Sequence, residues 1–291
     1  MRQVLSKPSS HFPQIPKEDF KVTTVKNVPN LLNSYRMQRL FPQGRAAIIC
    51  PIDHGIIFPR ELMRGLEDPV AVLNRLSDKG ATGFMMSPGL VKQTQVELGQ
   101  ASHLSRVMAL DGFYNLTDAA TGIGNLIATV EDAVRLGVDC VKLLMPWNVS
   151  TQEKVNLTER LGKVVSDAGK WDMPVMIEPV LLGEPRSKDV VAAEFEVARI
   201  AYDIGADIVK IAFPGADYTA KLVQELKVPL VIAGGPMTGS FEDAVREIRD
   251  TVAAGAQGLI VGRNVWSREP AEAERMMAEL VRISRESYVA L

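Results

Sequence analysis

From Ala46 onward the chain alternates short apolar runs with longer amphipathic segments. The apolar runs are Ala46–Pro51, Gly83–Ser87, Ser105–Leu110, Cys140–Met145, Val175–Glu178, Asp207–Phe213, Pro229–Ala233 and Gly258–Gly262. Each is four to seven residues long, which suits a buried strand and is too short for a helix. Between them, helical spacing of apolar positions predicts helices over about 69–79, 89–96, 128–136, 151–169, 188–204, 215–225, 240–254 and 270–288. In the 188–204 segment, Val191, Phe195, Ala198 and Ile204 share one face, and Lys188, Asp189, Glu194 and Glu196 fall mostly elsewhere. Three segments end in one phrase: Leu136-Gly-Val-Asp-Cys140, Ile204-Gly-Ala-Asp-Ile208 and Ala254-Gly-Ala-Gln-Gly258. Each puts glycine where a helix terminates and a strand begins.

Eight strand–helix alternations over about 240 residues predict an α/β fold, a single-domain TIM (β/α)8 barrel over 45–291. Residues 1–44 read as an N-terminal extension, with an extended Pro-, Ser- and Lys-rich arm over 1–28 and a short helix over 29–40. A doubly wound sheet would want a glycine-rich dinucleotide turn after the first strand. Cys50-Pro-Ile-Asp-His-Gly55 is not one, and Thr121-Gly-Ile-Gly-Asn125 follows no well-defined strand.

Composition narrows the class. With 46% hydrophobic and 23% charged residues, the chain has ample material for a large core. A net charge of −2 gives no bulk attraction to nucleic acid or an anionic membrane. No apolar run reaches the roughly 18 residues of a membrane span. The start, Met1-Arg-Gln-Val-Leu-Ser-Lys-Pro8, lacks the apolar core of a signal peptide. Cys50 and Cys140 sit inside apolar runs and read as buried, reduced thiols of a cytoplasmic protein. Only His11, His54 and His103 are available for a histidine-rich metal site.

If the fold is a barrel, its chemistry lies at the C-terminal ends of the strands. Lys210 stands in the middle of the sixth run, where Ile208, Lys210 and Ala212 share one face. A buried ammonium is costly unless paired or deprotonated. A lysine with a lowered pKa is what imine chemistry needs, because only the neutral amine attacks a carbonyl. Lys142 on the fourth run, Glu178 ending the fifth and Asp53 after the first would project into the same mouth. The functional reading is charge compensation that frees the Lys210 amine, with a carboxyl moving protons. The ordinary alternative is an ion-pair network that only fixes packing.

Ala233-Gly-Gly-Pro-Met-Thr-Gly-Ser240 and Val261-Gly-Arg-Asn264 follow the seventh and eighth runs, where barrels commonly bind phosphate on backbone N–H groups. Gly234, Gly235, Gly262 and Arg263 are the candidates, with a helix cap as the alternative reading of Thr238 or Ser240. His54 either shapes the turn after the first run or meets the substrate. Trp147 reads as packing or a substrate wall, and Met85-Met86 as core. Glu184, Arg186 and Lys188 follow the fifth run, where they could meet a second phosphate.

Taken together, Ile52-Asp-His-Gly55, Gly205-Ala-Asp-Ile-Val-Lys210, Val231-Ile-Ala-Gly-Gly-Pro236 and Val261-Gly-Arg-Asn-Val-Trp266 resemble the class I, Schiff-base aldolases of the DeoC/LacD type. The closer resemblance, over roughly residues 45–285, is to archaeal-type fructose-bisphosphate aldolases. It implies a TIM barrel, no metal or other cofactor, a covalent imine on Lys210, an aspartate at Asp53, phosphate on the glycine turns, and homo-oligomers including decamers. The archaeal-type enzymes carry a catalytic tyrosine at the end of the fifth strand, whereas this chain reads Met176-Ile-Glu-Pro-Val-Leu-Leu182. Lys142 and Glu178 instead look like the tagatose-bisphosphate aldolases. The implied activity is cleavage or formation of a phosphorylated ketose, with dihydroxyacetone phosphate as product. The same subfamily holds a thiolase acting on a phosphorylated pentanedione and a transaldolase-like heptulosonate synthase, both of which keep the lysine. A sugar-phosphate sensor that has lost catalysis is the remaining alternative.

Overall fold

The computed structural model describes residues 34–113, 124–182, 188–235 and 240–288. It begins with helix α1 (Tyr35–Leu40), capped by the Ser34 hydroxyl, and strand β1 (Ala47–Pro51). Helix α2 (Pro69–Ser77), strand β2 (Gly83–Met86), helices α3 (Pro88–Gln93) and α4 (Gln95–Gln100), and strand β3 (Ser105–Ala109) follow. A hairpin of β4 (Asp111–Phe113) and β5 (Gly124–Leu126) interrupts the alternation. The rhythm resumes with α5 (Val130–Arg135), β6 (Cys140–Pro146), α6 (Thr151–Gly169), β7 (Val175–Val180), α7 (Lys188–Ile204) and β8 (Ile208–Ala212). It ends with α8 (Ala216–Leu226), β9 (Leu230–Ala233), α9 (Phe241–Ala253), β10 (Gly258–Ile260), α10 (Arg263–Trp266) and α11 (Pro270–Glu286).

Strands β1, β2, β3, β6, β7, β8, β9 and β10 pair in parallel in that order, and β10 returns to β1 to close the barrel. These are the eight apolar runs of the sequence. Alternation of side chains sorts each strand into two faces. Ala47, Ile49, Met85, Val107, Cys140, Met176, Ile208, Val231 and Ile260 fill the barrel interior. Their neighbours, among them Ile48, Cys50, Met86, Met108, Val141, Ile177 and Val209, pack under the helices. Met37 and Leu40 of α1 join the interior set and stopper the N-terminal end. Burying two such side chains stabilises the barrel by about 1.5–3 kcal/mol each. The opposite end is left open for the polar residues.

The glycine phrases do what their sequence predicts. Gly137, Gly205 and Gly255 have φ of +68°, +111° and +100°, conformations that L side chains rarely adopt. The aspartates that follow serve the sheet. Asp139 Oδ2 accepts the Arg106 N–H, and Asp207 Oδ2 the Val175 N–H, both at 2.8 Å. Asp139 uses its second oxygen as well, accepting Arg39 Nε at 2.8 Å. Helices α5, α6 and α9 begin in capping boxes, Thr129 with Asp132, Ser150 with Glu153 and Ser240 with Asp243.

Three details differ from the sequence reading. The helix expected over 89–96 is two helices divided at Thr94, whose hydroxyl donates to the Leu90 carbonyl at 2.8 Å. The hairpin β4–β5 has no periodic signal long enough to announce it. The inward stripe of α7 is Glu194, Val197, Ala198 and Ala201, so Glu194 lies inside and not on the polar face. The N-terminal arm, residues 29–33 of the predicted first helix, and Thr121–Ile123 lie outside the described residues. Among the described residues, no helix is long and apolar enough to cross a membrane.

Candidate active site

Two residues above the interior apolar layer, three strands each present a charged side chain. Lys142 follows Cys140 on β6, Glu178 follows Met176 on β7, and Lys210 follows Ile208 on β8. The two-residue step keeps all three pointing inward. Asp53 continues the inward parity of β1 just beyond its end. All four line a pocket of about 300 Å³ at the C-terminal mouth, together with His54, Gly235, Gly262 and Arg263.

The geometry is tight. Lys210 Nζ lies 2.8 Å from Glu178 Oε1, and Lys142 Nζ lies 2.8 Å from Glu178 Oε2. Burial works to raise the Glu178 pKa, but the two ammonium groups overcome it and hold the carboxyl at about 2. Burial and opposite charge decide the two lysines differently. For Lys142, burial favours the neutral amine, yet Glu178, Asp111 and Asp53 outweigh it and the pKa rises. For Lys210, burial lowers the pKa, Glu178 opposes the change, and the Lys142 charge adds to the lowering. Asp53 is likewise pushed upward by burial, but His54, Lys142 and Lys210 bring it below the ordinary value. The arrangement thus fixes one lysine as a cation and biases the other toward the free amine.

His54 opens a single 3-10 turn and leans its ring on Phe58 and against Trp266, at centroid distances of 5.6 and 5.2 Å. Its Nδ1 is 3.5 Å from Asp53 Oδ1. Trp266 in turn donates from Nε1 to the Pro51 carbonyl at 3.1 Å. Gly262 is required where these elements meet. A Cβ there would come within 2.8 Å of Pro51 Cγ and 2.9 Å of Trp266 Nε1. The Arg263 guanidinium lies over the Phe58 ring at 5.3 Å.

The two glycines after β9 separate. Gly235 has φ +62° and lines the mouth. Gly234 donates its N–H to the Ile260 carbonyl at 3.0 Å and accepts Asn264 Nδ2 at 2.7 Å. Its amide therefore serves the sheet. Ser240 caps α9, whereas Pro236 through Gly239, including Thr238, lie outside the described residues. Glu184, Arg186 and the Lys188 side chain do too. Trp147 packs against the outer core and holds Lys154 Nζ over its ring at 5.3 Å.

Sequence reasoning passed over two carboxylates. Asp111 is 2% exposed and accepts the Leu144 N–H on Oδ2 at 2.7 Å. It directly follows the apolar run 105–110, so the rule that looks at strand ends would have found it. Glu194 lines the pocket from α7, and no local signal distinguishes it from the polar face of that helix. Among the described residues, no three His, Cys, Asp or Glu side chains are grouped to hold a metal ion.

Over 255 residues the chain is 31% identical to the class 1 fructose-bisphosphate aldolase of Thermoproteus tenax, covering 84% of this chain and 92% of that one. Over 238 residues it is 29% identical to the 2-amino-3,7-dideoxy-D-threo-hept-6-ulosonate synthase of Halobacterium salinarum, covering 79% and 84%. A solved Schiff-base-forming fructose-1,6-bisphosphate aldolase superposes with a TM-score of 0.75 at 26% identity, over 88% of this chain and 100% of its own. Residues 47–268, from β1 to just past α10, match the DeoC/LacD family aldolases, and this chain, an aldolase of the carbon–carbon lyase class, belongs to that family.

Proposed function

We propose that the chain cleaves or forms a phosphorylated ketose of the fructose-bisphosphate kind through an imine on Lys210, with dihydroxyacetone phosphate as the ketone product. The observation that carries this is the pair of 2.8 Å contacts joining Lys210 and Lys142 to the two oxygens of Glu178. Glu178 takes the proton of the Lys210 ammonium, and the amine attacks the ketone carbon. The same carboxyl returns the proton as the carbinolamine hydroxyl leaves as water. The protonated imine then draws in the electrons of the bond between its α and β carbons, which breaks to leave an enamine. Asp53 accepts the hydroxyl proton of the departing aldehyde and gives it back to the enamine carbon, and water releases the ketone. Lys142 remains a cation that tunes the field and holds a substrate hydroxyl. The Gly235 and Gly262 turns and Arg263 hold phosphate, and His54 shapes the wall beside them.

The imine is the electron sink, so the mechanism requires no metal, and activity is expected to survive exhaustive chelation. A sugar phosphate is the partner in this reading, with neither nucleic acid nor membrane. The working form is a homo-oligomer, a decamer by resemblance, in the cytoplasm, where the free, buried Cys50 and Cys140 stay reduced.

Borohydride reduction in the presence of ketose mono- and bisphosphates, followed by mass spectrometry, tests covalent chemistry and substrate together. Lys210 is expected to carry the adduct, and an adduct that persists in Lys210→Ala sinks the assignment. The second reading is a transferase of the heptulosonate-synthase or thiolase kind. It is favoured by the 29% identical synthase. A requirement for coenzyme A would mark the thiolase form, and turnover only with a second carbonyl acceptor the transaldolase-like form.

A further inference from the structure

The third barrel strand stops at Ala109, which is in register with Lys142 on β6. Leu110 still donates to the Lys142 carbonyl at 3.0 Å. At Asp111 the chain turns away into the β4–β5 hairpin, and the Asp111 side chain takes over the ladder by accepting the Leu144 N–H. Asp111 therefore keeps the inward parity of β3 two residues beyond Ala109, next to the strand that carries Lys142. A carboxylate used only to close a ladder resembles Asp139, whose two oxygens are both occupied, by Arg106 N and Arg39 Nε. Asp111 differs. Its Oδ1 is buried and has no hydrogen-bond partner among the described residues. An unsatisfied buried carboxylate oxygen is costly, and a neutral main-chain contact does not need a carboxylate.

We propose that Asp111 is a positioning residue of the imine site, acting through Lys142: it competes with Glu178 for the Lys142 charge and so sets how strongly Glu178 holds the Lys210 ammonium. The inference rests on the aldolase reading above. The charged groups that bear on Asp111 are Lys142 on β6, Glu178 on β7 and Arg160 on α6. Lys142 answers to Glu178, Asp111 and Asp53, and Lys210 to Glu178, Lys142 and Asp53. Burial raises the Asp111 carboxyl to about 6, against the pull of Lys142, the Leu144 N–H and Arg160. Its charge therefore changes within the working range of most enzymes. With Asp111 ionised, Lys142 is partly neutralised and acts less on Lys210, so Lys210 holds its proton more firmly. With Asp111 neutral, the full Lys142 charge bears on Lys210, and the free amine appears at lower pH.

The test is the pH dependence of borohydride trapping with dihydroxyacetone phosphate, in the full chain, for wild type, Asp111→Asn and Asp111→Ala. Asparagine keeps an oxygen for the Leu144 N–H, so the ladder survives, and circular dichroism checks the fold of each variant. The wild-type limb is expected to show an inflection near pH 6. In Asp111→Asn the inflection disappears and the limb moves down by about one pH unit, with the adduct still on Lys210. In a Lys142→Gln background the Asp111→Asn change is expected to shift nothing further. A profile that superimposes on wild type, or a shift that survives the loss of Lys142, overturns the proposal. Should wild type itself form no adduct, the aldolase reading fails first, and the role of Asp111 falls with it.

Discussion

Lys142 and Lys210 share one carboxylate, each 2.8 Å from a different oxygen of Glu178. With Asp53 ionised, the charges of Lys142, Lys210, Glu178 and Asp53 cancel. Cancellation does not make the lysines equal, because Lys142 is raised and Lys210 lowered. Burial alone would lower both. The difference arises from company: Lys142 has Asp111 as an additional anion, whereas Lys210 feels Lys142 as a like charge.

Replacing Glu178 by glutamine removes both contacts and leaves two buried cations sharing a neutral amide. Breaking a buried pair in this way costs about 3–5 kcal/mol, so denaturant midpoints should fall clearly. If Glu178 carries the proton as proposed, its loss should lower kcat by about 10²–10⁴-fold. The trapping profile should nevertheless move to lower pH, since Glu178 is what holds the Lys210 proton. Steady-state rates and trapping profiles measured together separate these effects. A rate within tenfold of wild type would remove Glu178 from the mechanism.

Replacing Lys142 by methionine should act in the opposite sense on Lys210. The like charge is lost, and Glu178 has only Lys210 left to pair with. The trapping limb is expected to move up by about one pH unit, a tenfold slower reaction at neutral pH that recovers in alkaline buffer. A uniform loss at every pH would mean that Lys142 only supports packing.

Most of the barrel was legible because period-two burial on short runs separated by amphipathic segments has few other solutions. Lys210, Glu178 and Lys142 were legible for a related reason: a charge inside an apolar strand is expensive and stands out. Asp111 was missed because it lies one residue past a run whose end was read as a simple boundary. Glu194 was hidden by its helix, where a carboxylate among Lys188, Asp189 and Glu196 looks like a solvated face. The division of labour between Gly234 and Gly235 was unreadable from sequence, since it depends on which amide the neighbouring strand requires.

The carboxylates also predict how stability changes with acid. Glu178 is held at about 2 against an ordinary 4.5. Its contribution is complete above about pH 4.5 and is lost as pH falls toward 2, on the order of 3 kcal/mol in total. Asp111 runs the other way, at about 6 against 3.8. Its contribution is present below about pH 4 and lost as pH rises through 6, again on the order of 3 kcal/mol. Urea midpoints from pH 3 to 8 should therefore show Asp111→Asn gaining on wild type between about pH 4 and 6 and keeping that gain above 6. Parallel curves for the two proteins would refute the assignment of Asp111 as a carboxyl that titrates near 6.

Gly262 ties the turn after β10 to the barrel wall and gives the last test. An alanine Cβ would meet Pro51 Cγ and Trp266 Nε1 below 3 Å, and Pro51 is part of a sheet strand that cannot easily retreat. The indole can, but only by giving up its 3.1 Å hydrogen bond to the Pro51 carbonyl. Overpacking of this kind costs about 1–3 kcal/mol, and the lost hydrogen bond adds about 1 kcal/mol. Trp266 also supports the His54 ring, and Arg263 directly follows Gly262, so the displacement should reach the mouth. The expected signature is a lower melting temperature with a raised KM for the phosphorylated ketose, while trapping of an unphosphorylated ketone such as dihydroxyacetone changes little. Equal losses for both ketones would show that the Gly262 turn supports the fold and does not hold phosphate.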